Sequence, residues 1–177
     1  MRLLVIGESC RDTYQYGDCV RLSPEAPVPI FKINRDKNIN GGMARNVYNN
    51  VLSLDVSADL CTNSNWETIN KIRYVDYRTN YIIVRVDHDD SSYGKVDLSN
   101  IDFKKYDAVL ISDYNKGFLT QEDIQIIAEK HPITFLDSKK ILGKWVENIK
   151  YIKINNFEFE RTKHKIPKRL INKFIIT

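Results

Sequence analysis

Asn40-Gly41-Gly42-Met43-Ala44-Arg45-Asn46-Val47 is the stretch on which the reading of this chain turns. It stands well after a strand-like N-terminus and directly before an apolar helical run. Paired glycines let backbone N–H groups come close to a ligand, and a helix N-terminus that follows favours oxyanions and polar hydroxyls. A glycine pair before a helix is also an ordinary structural turn, so the stretch gains meaning only from its surroundings.

Upstream, Leu3 to Ile6 is an apolar run ended by Gly7, the pattern of a buried parallel strand. Tyr14 to Arg21 and Val28 to Ile33 carry β-prone residues on either side of the Pro-rich turn Ser23 to Pro29, which predicts two strands of a small separate sheet. Downstream, Val47, Val51 and Leu54, with Ala44 and Tyr48, recur at helical spacing. Val56 to Cys61 reads as a short strand. Lys71 to Tyr77 and Tyr81 to Val86 read as a hairpin around Arg78-Thr79-Asn80. Ala108 to Ile111 is a buried strand ending at Ser112-Asp113. Thr120 is an N-cap, with Ile124, Ile127 and Ala128 on the buried side of its helix. Ile133 to Leu136, Tyr151 to Ile154 and Phe174 to Ile176 complete the strands. Strands alternating with helices predict an α/β parallel sheet with right-handed crossovers, whose ligands sit at the carboxyl ends of the strands. Asp12, Asp113, Asp137 and Asn155 all fall at such ends.

The 177 residues suit one domain, residues 1–177, with lid strands from about 13–34 and 71–87. Hydrophobic residues at 42% and charged residues at 28% fit a globular class and not a disordered one. No apolar run reaches the roughly 18 residues of a membrane span, and the N-terminus lacks a signal-peptide pattern. Cys10, Cys19 and Cys61 have no metal-ligand spacing and read as reduced thiols, which with the missing leader points to a cytoplasmic protein. The net charge of +4 is mild. The basic cluster Arg161, Lys163, Lys165, Lys168, Arg169 and Lys173 reads as a solvated face rather than a nucleic-acid surface. Asp87-His88-Asp89-Asp90 reads as an exposed turn. His88, His131 and His164 are scattered, and no P-loop sequence occurs.

Taken together, Gly7…Asp12, Arg21-Leu22-Ser23-Pro24-Glu25-Ala26-Pro27-Val28-Pro29, the glycine pair, Ser112-Asp113-Tyr114-Asn115-Lys116-Gly117, and Leu136-Asp137-Ser138-Lys139 leading to Asn155-x-x-Glu158 resemble the ribokinase (PfkB) family of carbohydrate kinases. The S-P-E-A-P-V-P and S-D-Y-x-K-G segments are similar to the heptose-phosphate kinase branch. The resemblance runs from Leu3 to Thr177. It implies a ribokinase-like, Rossmann-like sheet flanked by helices with a small β lid, in shortened form, since only Thr62 to Asn70 stand where the family has a longer strand–helix connection.

By the same resemblance, Asp12, Gly41, Gly42, Asn46 and Asp113 bind the sugar. Lys116, Lys139 and Asn155 serve phosphates and nucleotide, and Glu158 helps order magnesium around ATP. The lid implies a homodimer. The family's G-A-G-D segment, with its catalytic aspartate, does not occur in these residues. The catalytic residue is therefore unassigned, with Asp113 or Asp137 as weak substitutes. Three readings stay open: an ATP- and magnesium-dependent sugar or sugar-phosphate kinase completed by a second chain, a non-catalytic sugar-phosphate-binding or regulatory module, and a structural or interaction protein on the same scaffold.

Overall fold

A computed structural model describes residues 1–34 and 38–177. In chain order the elements are β1 (Arg2–Gly7), β2 (Ser9–Asp18), β3 (Lys32–Ile33), β4 (Asn38–Met43), α1 (Ala44–Leu52), β5 (Ser57–Cys61), β6 (Asn70–Asp76), β7 (Ile82–His88), β8 (Ala108–Asp113), α2 (Gln121–Lys130), β9 (Thr134–Ser138), β10 (Tyr151–Ile154), α3 (Asn156–Thr162) and β11 (Phe174–Ile176).

Six strands form one all-parallel sheet in the order β11-β10-β9-β8-β1-β5. The order follows from composition. Leu4, Val5 and Ile6 of β1 are all buried, so both faces of that strand are covered and it lies inside the sheet. From β1 the chain builds β5 on one side and β8 to β11 on the other. The strand order therefore reverses at β1/β8, which is where α/β sheets open a crevice for ligands.

Alternation divides the sheet into two unlike faces. Val109, Ile111, Leu136, Ile152 and Ile154 point to one face and join Ile124 and Ile127 of α2 in the main apolar cluster. α2 is well terminated. The Thr120 hydroxyl accepts from Asp123 N at 3.0 Å, and the Asp123 carboxylate accepts from Thr120 N at 2.8 Å. On the other face Leu110, Phe135 and Tyr151 stand in one cross-strand row, and Ser112, Asp137, Lys153 and Ile175 in the next. Phe135, Tyr151 and Ile175 are exposed there, with the Phe135 and Tyr151 rings stacked at 4.8 Å.

The second sheet runs β3-β2-β6-β7, with β4 antiparallel to the first half of β2. Only Glu8 separates β1 from β2, so the chain passes straight from the main sheet into the second. β6 and β7 form the hairpin read from the sequence.

Three local expectations are corrected. Val28 to Ile33 is not a full strand: only Lys32 and Ile33 pair, with a single Leu22–Pro29 bridge before them. Pro27 and Pro29 lack the N–H donors a ladder needs. Leu54 is not on the buried helix face, because α1 ends at Leu52 and Asp55 takes a left-handed φ of 57°. Gly41 and Gly42 lie inside β4 rather than in a loop. No described helix is long and apolar enough to cross a membrane.

Candidate functional site

The second sheet is polar on the face it turns toward the β1/β8 crevice. Strand alternation places Asp12 and Tyr14 of β2, Lys71 and Arg73 of β6, and Arg85 and Asp87 of β7 on that face. Pairing then aligns them in rows: Asn40, Asp12, Lys71 and Asp87 in one, and Tyr14, Arg73 and Arg85 in the next. With Cys10, Gly42, Met43, Asn46, Asp90, Tyr114 and Lys116 they enclose a cavity of about 440 Å³, within the usual range for small-molecule sites. Four cationic side chains (Lys71, Arg73, Arg85, Lys116) and three carboxylates (Asp12, Asp87, Asp90) line it.

These charges are paired across the cavity wall. Asp12 accepts from Arg73. Asp87 accepts from Arg85 through two bonds of 2.7 and 2.6 Å. Asp90 accepts from Lys71 at 3.0 Å, from Lys116 at 2.6 Å and from the Tyr93 hydroxyl. Burial pushes the Asp90 carboxyl up, but the bonds from Lys116, Tyr93 and Lys71 outweigh it and bring it down to about 2. Burial, with Asp90 as partner, pushes the Tyr93 phenol up. Burial likewise raises the Cys10 thiol.

The loop after β8 is fixed from below by Glu8. Its fully buried carboxylate accepts from Tyr114 N at 2.8 Å and Lys116 N at 2.9 Å, and its carbonyl accepts from Ala44 N at 2.8 Å. One residue thus ties β1, the start of α1 and the S-D-Y-N-K-G loop together. Burial raises the Glu8 carboxyl, partly offset by the Tyr114 N–H. The loop itself needs left-handed backbone at Asn115 (φ 57°) and Gly117 (φ 95°).

Of the residues read from the sequence, the structure brings Asp12, Gly42, Asn46 and Lys116 to the cavity. Gly42 is required by close approach: a Cβ there would stand 2.8 Å from Cys10 Sγ and 3.3 Å from Asp12 Cβ. Gly41 lies beside the cavity, where a Cβ would strike the Arg45 side chain. Arg45 in turn stacks 3.9 Å from the Trp66 ring. Met43 lines the cavity with φ 61° and ψ −128°, a conformation that costs a non-glycine residue about 1–3 kcal/mol.

Asp113 is not part of the cavity wall, contrary to the sugar-facing role expected of it. Strand alternation turns it to the Val109–Ile111 side, where it is buried and accepts from Lys140 Nζ at 2.7 Å, from Asn115 N at 3.0 Å and from the Ser138 hydroxyl. Asp137 lies on the opposite, open face and accepts from Lys153 at 2.9 Å. Neither carboxylate faces the cavity as a base. Lys139 and Glu158 pair with each other. Burial opposes both charges, but the pairing prevails, lowering the Glu158 carboxyl and raising the Lys139 ammonium. Asn155 caps α3, its side chain accepting from Glu158 N at 2.8 Å.

Sequence reading missed Glu8, Arg73, Arg85, Asp87 and Asp90. The signal was the i, i+2 spacing of charges in Lys71/Arg73 and Arg85/Asp87, since period 2 in a strand puts them on one face. The acidic run is correspondingly corrected: Asp87 sits in β7, and Asp90 is a half-buried ion-pair partner rather than an exposed turn residue. The C-terminal basic cluster is partly tied down. Lys163 bonds Glu160, Arg169 bonds Glu147, and Lys173 donates to the Ile149 carbonyl at 2.8 Å.

No family model matches the chain. Curated relatives do. The bifunctional protein HldE of Helicobacter acinonychis is 32% identical over 200 aligned positions, covering 92% of this chain and 43% of its own. HldE of Nitratiruptor is 30% identical, covering 81% of this chain and 38% of its own. Among solved structures, a carbohydrate kinase from Agrobacterium tumefaciens superposes with a TM-score of 0.53 at 12% identity, covering 91% of this chain and 62% of its own. Burkholderia thailandensis nucleoside kinase in complex with inosine gives 0.56 at 12% identity, covering 100% and 68%. The chain has the ribokinase fold, and its sequence is similar to HldE over most of its own length. It is a shortened ribokinase fold, spanning less than half the length of these HldE relatives and about two thirds of these solved kinases.

Proposed function

We propose that this ribokinase-fold chain binds a sugar phosphate of the heptose-phosphate kind, in the cavity between its second sheet and the β1/β8 crevice. The observation that carries the reading is the meeting of Asp12, Asn46 and the Gly42 backbone with four cationic side chains in one cavity of about 440 Å³. Carboxylate and amide side chains suit hydroxyl recognition, and the cations suit a phosphate. The HldE likeness supports a sugar-phosphate ligand.

The catalytic reading is ATP-dependent phosphorylation of that sugar. Magnesium bound with ATP would be held near Glu158. One carboxylate suffices only where phosphates and water supply most ligands, and among the described residues no group of three His, Cys, Asp or Glu side chains could hold a metal. Glu158 is also engaged by Lys139 and the α3 cap. The geometry favours binding over turnover by this chain alone, because neither Asp113 nor Asp137 lines the cavity and each is paired with a lysine. The protein is proposed to be cytoplasmic and to pair with a second copy through the lid sheet.

A second reading, a kinase completed by further polypeptide, is favoured by the exposed apolar side chains Phe135, Tyr151 and Ile175 on one face of the main sheet. Parallel sheets are ordinarily covered on both faces, and this one is bare from β9 to β11 on that side. Equilibrium dialysis of the chain against sugars and sugar phosphates, with and without ATP and magnesium, tests the reading. Binding of a sugar phosphate without ATP is expected, and failure of every sugar to bind would refute it.

A further inference from the structure

Glu8 fills the gap between β1 and β2, with its carboxylate fully buried. Gly7 makes room for this. A Cβ on Gly7 would stand 1.9 Å from the Ser112 carbonyl oxygen, so a bare backbone lets the ends of β1 and β8 close together. Glu8 then lies beneath the loop that follows β8. Tyr114 N donates to one carboxylate oxygen at 2.8 Å and Lys116 N to the other at 2.9 Å. Asn115 N, between them, donates to Asp113 at 3.0 Å. Three successive backbone N–H groups thus converge on two buried carboxylates, an anion-binding concavity filled by the protein's own side chains.

The two carboxylates are not equally provided for. Asp113 has Lys140 at 2.7 Å, whereas Glu8 is held by backbone N–H groups rather than by a cation. The titratable groups that face Glu8 are Asp113 of β8 and the Tyr93 phenol, and α1 brings it Ala44. Burial holds the Glu8 carboxyl above its ordinary 4.5; the Tyr114 N–H draws it down and the Asp113 charge pushes it up again. A buried charge of this kind is costly to a fold. What it holds is the cavity wall on two sides. Tyr114 and Lys116 line the cavity from the loop, and the Glu8 carbonyl accepts from Ala44 N at 2.8 Å, at the start of the helix that carries Asn46.

We propose that Glu8 is a positioning residue of the cavity, setting the Tyr114–Lys116 loop and the start of α1 at the spacing the ligand needs, and doing so only as a carboxylate. The role rests on the sugar-phosphate reading of the cavity. A carboxylate accepts at both oxygens, while a protonated acid or an amide turns a donor toward one of the same two N–H groups. Ligand binding therefore weakens as pH falls through the raised Glu8 value. The fold does not weaken on Glu8's account in that window, because a carboxyl raised in the folded state takes up its proton more readily folded than unfolded. A carboxylate of merely structural use would not separate binding from stability in this way.

Two measurements on the full chain test it. The first follows the Tyr114 and Lys116 amide resonances by NMR, without ligand, from about pH 7.5 downward. Both are expected to shift together at a midpoint above 4.5 in the wild type and to lose that step in Glu8→Gln. The second is titration calorimetry, with hexose 6-phosphates and a heptose 7-phosphate at about pH 7.5, and with the parent sugars, which carry no titrating group, down the same pH range. Glu8→Gln is expected to weaken binding at least about 5-fold at the higher pH and to remove its pH dependence. Glu8→Asp, which keeps the charge with a shorter reach, should recover part of both. Thermal melts check folding; should Glu8→Gln not fold, the wild type decides, since its amide and sugar-binding midpoints must coincide. Unchanged binding in Glu8→Gln, or wild-type binding indifferent to the amide midpoint, would overturn the positioning role and leave the cavity's ligand in place. No sugar binding at any pH, with the amides still titrating, would overturn the ligand reading and the role with it.

Discussion

Asp90 shows how much a single side chain carries here. Three donors meet its carboxylate, and its ionisation is depressed from 3.8 to about 2. A depressed carboxylate contributes stability above its unfolded value and loses it as pH falls through the folded value. Asp90→Asn should therefore cost about 2 kcal/mol at pH 7. The gap to wild type should close between about pH 4 and about pH 2, which urea melts at stepped pH would show; a gap independent of pH would mean Asp90 is not charged in the fold. The sequence displayed Asp12, Gly42, Asn46 and Lys116 because a motif surrounds each. It hid Asp90, because an acidic run looks like a solvated turn until Lys71 and Lys116 are seen to converge on it. Asp113 misled for the reason strands often mislead: its place at a strand end was right, but alternation sends it into the core side.

Among the elements, α2 is the best specified. Its Thr120/Asp123 capping box satisfies N–H groups that the helix cannot satisfy itself. Thr120→Ala should cost about 1 kcal/mol, or roughly 2–4 °C in melting temperature for a chain of this size. An unchanged melt would mean the cap adds nothing. The lid is the opposite case. β7 is an edge strand, and Ile82, Ile83 and Val84 are exposed along it; Val20, Leu22 and Val28, in the connection between β2 and β3, are exposed as well. Tyr14 is not part of that apolar surface, since it faces the cavity, and Phe31 packs against Tyr74 at 5.2 Å. An open, apolar edge seeks a partner, so a homodimer through β7 is expected at micromolar concentration in sedimentation velocity. Ile82→Lys with Val84→Lys should yield monomer; a wild-type monomer would rule the lid contact out. The β6–β7 hairpin was legible from two β-prone runs around Arg78-Thr79-Asn80. β4 was not, because a glycine pair reads as a loop, and its strand state comes from pairing with β2.

For the molecule as a whole, the parallel order of the main sheet was legible from apolar runs that each end in a polar residue. The openness of one face was not, since exposure of Phe135, Tyr151 and Ile175 depends on what covers them and not on their own pattern. The polypeptide of these 177 residues is expected to be a very poor kinase. It holds no G-A-G-D segment, and a missing general base typically costs about 10²–10⁴ in rate, with missing preorganised donors adding about 10²–10³. A coupled assay with ATP, magnesium and heptose or hexose phosphates checks this. Turnover in the usual kinase range of about 1–100 s⁻¹, lost on Asp113→Asn or Asp137→Asn, would contradict it.

The central claim, that the cavity is a sugar-phosphate site organised around Asp12, is tested most directly by calorimetric titration of wild type and Asp12→Ala with the tightest-binding sugar phosphate. Loss of a buried hydrogen-bonding partner typically costs about 1–3 kcal/mol, so one-to-one binding weakened roughly 5- to 150-fold by the substitution is the expected result. Equal affinity of the two proteins, with both shown to be folded, would contradict the account.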